Sequence, residues 1–140
     1  GIVGFAKAVA LADELRDTEY TRIKELRDLL LGELQARVDG IEVNGSMESR
    51  LAHNLNLFIP GVRSKSLLHL IREDVCISSG AACTTMKVTP SHVIQALGYS
   101  PERALSSIRI SLGRFTTTEE ILFAADVIAE AVRYIRRLAV

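Results

Sequence analysis

Two long stretches of helical apolar spacing enclose a set of short alternating runs, and that order confines the chain to an α/β layer fold. Phe5, Ala8, Val9, Ala12 and Leu15 recur at helical intervals. After Arg16-Asp17-Thr18-Glu19 the same period resumes with Ile23, Leu26, Leu30, Leu34 and Val38. One long bent helix or two helices in line would satisfy this pattern. Asp39-Gly40 ends it, because glycine takes the left-handed conformation that helix ends favour. At the far end Thr117 and Glu120 have the spacing of a capping box. Behind them Ile121, Ala125, Ile128, Val132 and Ile135 mark a second long amphipathic helix. Arg133, Arg136 and Arg137 in its last turns suit the negative end of the helix dipole.

Between these helices the period switches. Ile41-Glu42-Val43 predicts a short strand closed by the turn residues Asn44-Gly45, and the polar segment from Ser46 to Arg50 predicts a loop. Asn54 to Ile59 alternates polar and apolar, the mark of a half-buried strand, and Pro60-Gly61 stops it. Ser64 or Ser66 can cap a helix carrying Leu67, Leu68 and Ile71. Val75-Cys76-Ile77 predicts another strand. Thr89 and Pro90 then start a helix with Val93, Ile94 and Leu97 as its buried stripe, ended by Gly98. Pro101 to Leu105 makes a further helical turn, and Ser107 to Gly113 alternates as a strand. The expected fold is a two-layer α/β domain with a small mixed sheet and the long helices on one face. Residues 1–40 form the connecting helix or helices, and residues 41–140 form the domain proper.

Composition removes several classes of function. The 140 residues are 48% hydrophobic, enough for a core, and 17 basic residues balance 17 acidic ones. That balance gives no electrostatic case for direct nucleic-acid binding. No apolar run reaches the ~20 residues of a membrane helix, so no membrane partner is expected. Two cysteines make no disulfide framework, and a reducing, cytoplasmic setting follows. The chain opens Gly1-Ile2-Val3-Gly4 and runs at once into helical periodicity without a capping residue. It reads as a piece of something longer.

The candidate chemistry centres on Ser78-Ser79-Gly80-Ala81-Ala82-Cys83-Thr84-Thr85. Small residues on both sides of Cys83 leave no bulky neighbour to bury the thiol, so Cys83 is expected to be a reactive nucleophile in a loop at 78–89. Cys76, between Val75 and Ile77, is expected to pack in the core. The cysteines and His92 match no zinc spacing, so this chain alone is expected to hold no metal, although Cys83 could share an iron–sulfur ligand role with another protein. Arg109 lies inside an alternating strand, where a guanidinium either faces solvent or grips an anion such as a carboxylate. Arg114 is expected to brace loops or a helix end. His53, His69 and His92 are scattered, and nothing singles one out.

Three blocks taken together carry a resemblance. Ser78 to Thr84, then Pro90-Ser91-His92-Val93-Ile94-Gln95-Ala96-Leu97-Gly98, then Ser106 to Thr116 with Ile108-Arg109-Ile110-Ser111-Leu112-Gly113-Arg114 at its centre, resemble the C-terminal part of a NifS/IscS-type cysteine desulfurase. The resemblance extends to Gly1-Ile2-Val3-Gly4 and to Asn54-Leu55-Asn56-Leu57. It implies the smaller domain of a class-V aminotransferase, a type I pyridoxal-phosphate fold. On that resemblance Cys83 matches the cysteine that takes sulfur from L-cysteine as a persulfide, releasing L-alanine, and Arg109 matches the arginine that holds the substrate carboxylate. The implied partners are L-cysteine and a sulfur acceptor, such as a scaffold protein for iron–sulfur clusters or tRNA thiolation, within a homodimeric intact protein. Pyridoxal phosphate would be bound by a larger domain, because no lysine here stands in the family's cofactor context. The alternative reading is a stand-alone, non-catalytic persulfide carrier or regulatory module.

Overall fold

A computed structural model describes residues 1–79 and 90–139. The first apolar repeat forms a single helix, α1 (Ile2–Arg37), with no break at Arg16 to Glu19. Gly40 ends the turn after it with φ 74°, as the sequence requires. Only the second half of α1 is covered. Leu26, Leu30 and Leu34 are buried, whereas Phe5 is 73% exposed and Ile2, Val3 and Val9 are also exposed. The apolar stripe predicted over Phe5 to Leu15 is therefore real as a pattern, but the described residues do not bury it.

The strands β1 (Glu42–Val43), β2 (Asn54–Phe58) and β3 (Ser107–Ser111) form one sheet in the order β1-β2-β3. Both pairings are antiparallel, so the expected mixed sheet is an antiparallel one among the described residues. Asn54 faces Ser111, Asn56 faces Arg109 and Phe58 faces Ser107 across the β2–β3 ladder. Alternation then sorts the side chains. Leu55 and Leu57 of β2, with Ile108 and Ile110 of β3, enter the core. Asn54, Asn56 and Arg109 point to the opposite face.

The core-side layer consists of α1, α2 (Ser64–Ile71) and α5 (Thr118–Leu138). Leu67 and Ile71 of α2 and Ile121, Ala125, Ile128, Ala129 and Val132 of α5 complete one cluster with the inward strand residues. The α5 start carries the predicted capping box: Thr117 Oγ1 accepts from the Glu120 amide at 3.2 Å, and the Glu120 carboxylate accepts from the Thr117 amide at 3.0 Å. The α2 start differs from expectation. Neither serine caps it; Ser64 is its first residue, is buried, and donates its hydroxyl to the Leu105 carbonyl at 2.9 Å. That bond ties α2 to α4 (Pro101–Leu105), whose own cap is Ser100. Helix α3 (His92–Ala96) begins after Ser91, two residues beyond Pro90; Thr89 lies outside the described residues. Of its predicted stripe only Ile94 is buried, while Val93 and Leu97 are exposed.

Leu30 has no solvent exposure and sits where α1 meets α5 and the sheet. Leu30→Ala is expected to destabilise the chain by about 3 kcal/mol, the sum of lost transfer free energy and a residual cavity. Chemical denaturation should show this as a lowered midpoint with unchanged slope.

Candidate functional site

The outer face of the sheet carries polar groups at positions where an isolated sheet would simply be wet. Arg109 and its cross-strand neighbour Asn56 line a cavity of about 370 Å³ with Asn54, Arg50, Ser91 and Leu97. The loop after β1 forms one wall and α3 another. The Arg109 backbone is fixed by a reciprocal pair with Ser78: Ser78 N–H donates to Arg109 O at 3.0 Å and Arg109 N–H donates to Ser78 O at 2.6 Å. Its guanidinium makes no hydrogen bond or ion pair among the described residues. A half-buried cation in that situation is suited to an anion that the described residues do not supply.

A buried amide network builds the floor of this cavity. Arg103 of α4 lies between two rings, 4.7 Å from the Phe58 centroid and 4.2 Å from that of Tyr99. Its Nη1 pairs with Glu42 at 2.5 Å and its Nε donates to Asn44 Oδ1 at 2.7 Å. Asn44 is buried. Its Nδ2 donates to Asn56 Oδ1 at 2.7 Å and to Ser107 Oγ at 2.8 Å, and Ser107 Oγ donates back to Arg103 O at 2.7 Å. The network links both neighbours of β2 to α4. In the sequence Asn44 reads only as a turn residue, and nothing singles out Arg103. The signal available was the alternation that puts Asn54 and Asn56 on one face.

Two more arginines stand near the cavity. Arg50 holds the loop after β1 by donating to the Ser46 carbonyl at 3.0 Å and to the Asn44 carbonyl. Burial, and then the positive charge of Arg27, push the Arg50 guanidinium below its ordinary pKa. Arg27 is only 2% exposed, and donates to Asp28 Oδ1 from Nε at 2.9 Å and from Nη2 at 2.7 Å. Lys24 donates to Asp28 Oδ2 at 2.9 Å. For Asp28, burial raises the carboxyl pKa, but the hydrogen bonds from Lys24 and Arg27 outweigh it and the net shift is downward. A depressed folded-state pKa gives stability that is present above ~pH 4 and is lost as pH falls through the lower folded value. Asp28→Asn should accordingly flatten the acid side of the stability–pH curve, as read by thermal melts between about pH 2 and 6. The effect is small, because the Asp28 side chain is 40% exposed.

Cys83 and the rest of residues 80–89 lie outside the described residues. Cys76 differs from the expectation of core packing: it is exposed, and residues 75–77 form no strand. The reason is alternation itself. Val75 and Ile77 pack against the core from an extended segment, which turns the residue between them outward. Among the described residues the Arg114 side chain holds no loop carbonyl, and its guanidinium lies 5.7 Å from the Phe115 ring. Arg22 of α1 does that work, donating to the carbonyls of Arg114 and Thr116. His53, His69 and His92 stay apart and exposed, and no group of metal-ligating side chains occurs among the described residues.

The described lysines do not suit a Schiff-base cofactor. Lys24 is committed to Asp28, and Lys7 and Lys65 stand on exposed helix turns away from the Arg109 cavity.

The aminotransferase class-V profile matches residues 1–123. This chain belongs to the aminotransferase class-V family. Members of that family are in general pyridoxal-phosphate-dependent. The class-V chain is 44% identical over 138 residues to cysteine desulfurase IscS of Methylobacillus flagellatus, covering 99% of this chain and 34% of that protein. It is 40% identical over 137 residues to cysteine desulfurase IscS of Ehrlichia chaffeensis, covering 98% and 33%. Among solved structures, the X-ray structure of a NifS-like protein from Rickettsia africae superposes with a TM-score of 0.79 at 27% identity, covering 93% of this chain and 33% of that one. Another NifS-like protein gives a TM-score of 0.82 at 27% identity, covering 96% and 33%. The class-V chain thus spans about a third of the length of these relatives. No helix among its described residues is long and apolar enough to cross a membrane.

Proposed function

We propose that this chain is the C-terminal, smaller domain of a cysteine desulfurase, and that within the intact protein it supplies the sulfur-accepting thiol and the anchor for the substrate carboxylate. The observation that carries the reading is the identity of 40–44% to cysteine desulfurases along nearly the whole chain. Arg109 adds a physical reason. Its guanidinium lines a cavity with no counter-ion from the described residues, and a planar fork of donors matches a carboxylate. L-cysteine would be held there by its carboxylate. Its sulfur would pass to the Cys83 thiol, breaking the carbon–sulfur bond and forming a sulfur–sulfur bond, with L-alanine released and Cys83 left as a persulfide. An acceptor protein, such as an iron–sulfur scaffold or a tRNA-thiolation carrier, would then remove the outer sulfur.

Pyridoxal phosphate would be held by the part of the family's length that this chain does not span. Residues 1–40 would connect the two bodies, a role supported by the exposed apolar first half of α1. A homodimeric cytoplasmic protein is part of the same proposal. The reading is tested by supplying L-cysteine to the intact protein and following alanine: release that depends on Cys83 supports it, and release unaffected by loss of Cys83 refutes it.

A further inference from the structure

We infer that Asn56 is a second donor to the anion that Arg109 binds, with its amide turned toward that anion by a relay from Arg103 through Asn44. The inference rests on the reading of Arg109 as an anion anchor given above.

The orientation follows from donor–acceptor bookkeeping. A guanidinium has only donors, so the group of Asn44 that meets Arg103 Nε at 2.7 Å is its amide oxygen. The Asn44 nitrogen therefore faces away from Arg103, toward Asn56 and Ser107. A nitrogen that donates must meet an oxygen, so Asn56 presents its Oδ1 to Asn44. What remains at the free end of the Asn56 amide is Nδ2 with its two N–H donors. Asn56 Nδ2 makes no hydrogen bond among the described residues, and Asn56 lines the same cavity as Arg109.

Register places the two groups together. Asn56 and Arg109 are direct cross-strand partners on the outer face, where such Cβ atoms stand ~4.5–5.5 Å apart. A carboxylate held by the guanidinium has an oxygen within reach of the amide. Arg103 is fixed in turn by Glu42 and by the Phe58 and Tyr99 rings, so the relay is held from outside the site. Asn56 is a binding residue in this account, and Asn44 and Arg103 are positioning residues.

The test uses propionate as the probe and the intact protein, with side-chain amide and guanidinium signals followed by NMR at constant ionic strength. In the unaltered chain, propionate should shift the Asn56 Nδ2 and Arg109 Nε signals with one common dissociation constant. Asn56→Ala should weaken that constant about tenfold, as expected for a hydrogen bond to a charged group. Asn44→Asp is the sharper variant. Its carboxylate still accepts from Arg103 but cannot donate to Asn56, so the Asn56 amide should turn over and present its oxygen to the cavity, seen as a changed Asn56 Nδ2 signal before any propionate is added, and propionate binding should weaken. Amide spectra confirm that each variant stays folded. If propionate moves the Arg109 signal equally in the unaltered chain and in both variants, the role of Asn56 is wrong while the anion anchor stands. If propionate moves neither signal in the unaltered chain, the anchor reading itself fails and Asn56 with it.

Discussion

Cys83→Ala is expected to abolish sulfur transfer from L-cysteine in the intact protein, lowering turnover by on the order of 10³-fold or more, the scale seen when an attacking nucleophile is removed. The loss should fall on kcat, because the thiol acts on bound substrate and does not hold it. Binding of L-cysteine should survive. Cys76→Ala is the matched control. Its side chain is exposed on the outward side of an extended segment whose neighbours Val75 and Ile77 do the packing, so neither turnover nor stability should move appreciably. Measuring alanine release for the two variants side by side separates a specific thiol from a general sensitivity to cysteine loss.

Arg109→Ala is expected to have the second largest effect, lowering kcat/KM for L-cysteine by about a hundredfold or more through loss of charge-assisted hydrogen bonds to the carboxylate. The physical basis is local. Arg109 is held by its main chain to Ser78, its side chain has no counter-ion among the described residues, and its flanking residues Ile108 and Ile110 anchor β3 in the core. Arg109→Lys keeps the charge but loses the planar fork, and an intermediate value is expected. Saturation kinetics over a range of L-cysteine concentrations check this. Equal kcat/KM for Arg109→Ala and the unaltered protein would remove Arg109 from the substrate site.

Much of the fold was legible because apolar spacing is a direct record of which face is buried. The β2 and β3 alternations placed Leu55, Leu57, Ile108 and Ile110 inward, and the Thr117–Glu120 capping box fixed the start of α5. Errors arose where a local signal competed with a tertiary one. Ser64 looks like a cap, but its hydroxyl is taken by the Leu105 carbonyl. Val75-Cys76-Ile77 looks like a strand, but among the described residues it joins no ladder, and the bridge beside it is at Ser78. Val93 and Leu97 look buried from their spacing, and α3 leaves them exposed. Mixed pairing was expected from the alternation of helices and strands, yet β1 and β2 are successive strands and β3 returns antiparallel after α4.

The site was legible in its single residues and hidden in its network. Arg109 announces itself as a charge within an alternating strand. Arg103, Asn44 and Asn56 do not, because their meaning depends on contacts between residues as far apart in the chain as Asn44 and Arg103. No spacing rule brings a turn asparagine, a strand asparagine and a helical arginine together. The buried Arg27 was hidden for a similar reason: in sequence it is one charge among several on α1, and only packing shows that it lies inside.

Cys83 is the proposed recipient of the sulfur. The intact protein, given L-cysteine without reductant and then alkylated and digested, should yield the peptide carrying Cys83 with the mass of one added sulfur atom. That sulfur should be lost on treatment with dithiothreitol, and fragment masses should place it on Cys83 and not on Cys76. Alanine formed with no added sulfur on the Cys83 peptide, or added sulfur retained on another residue in Cys83→Ala, would contradict the account.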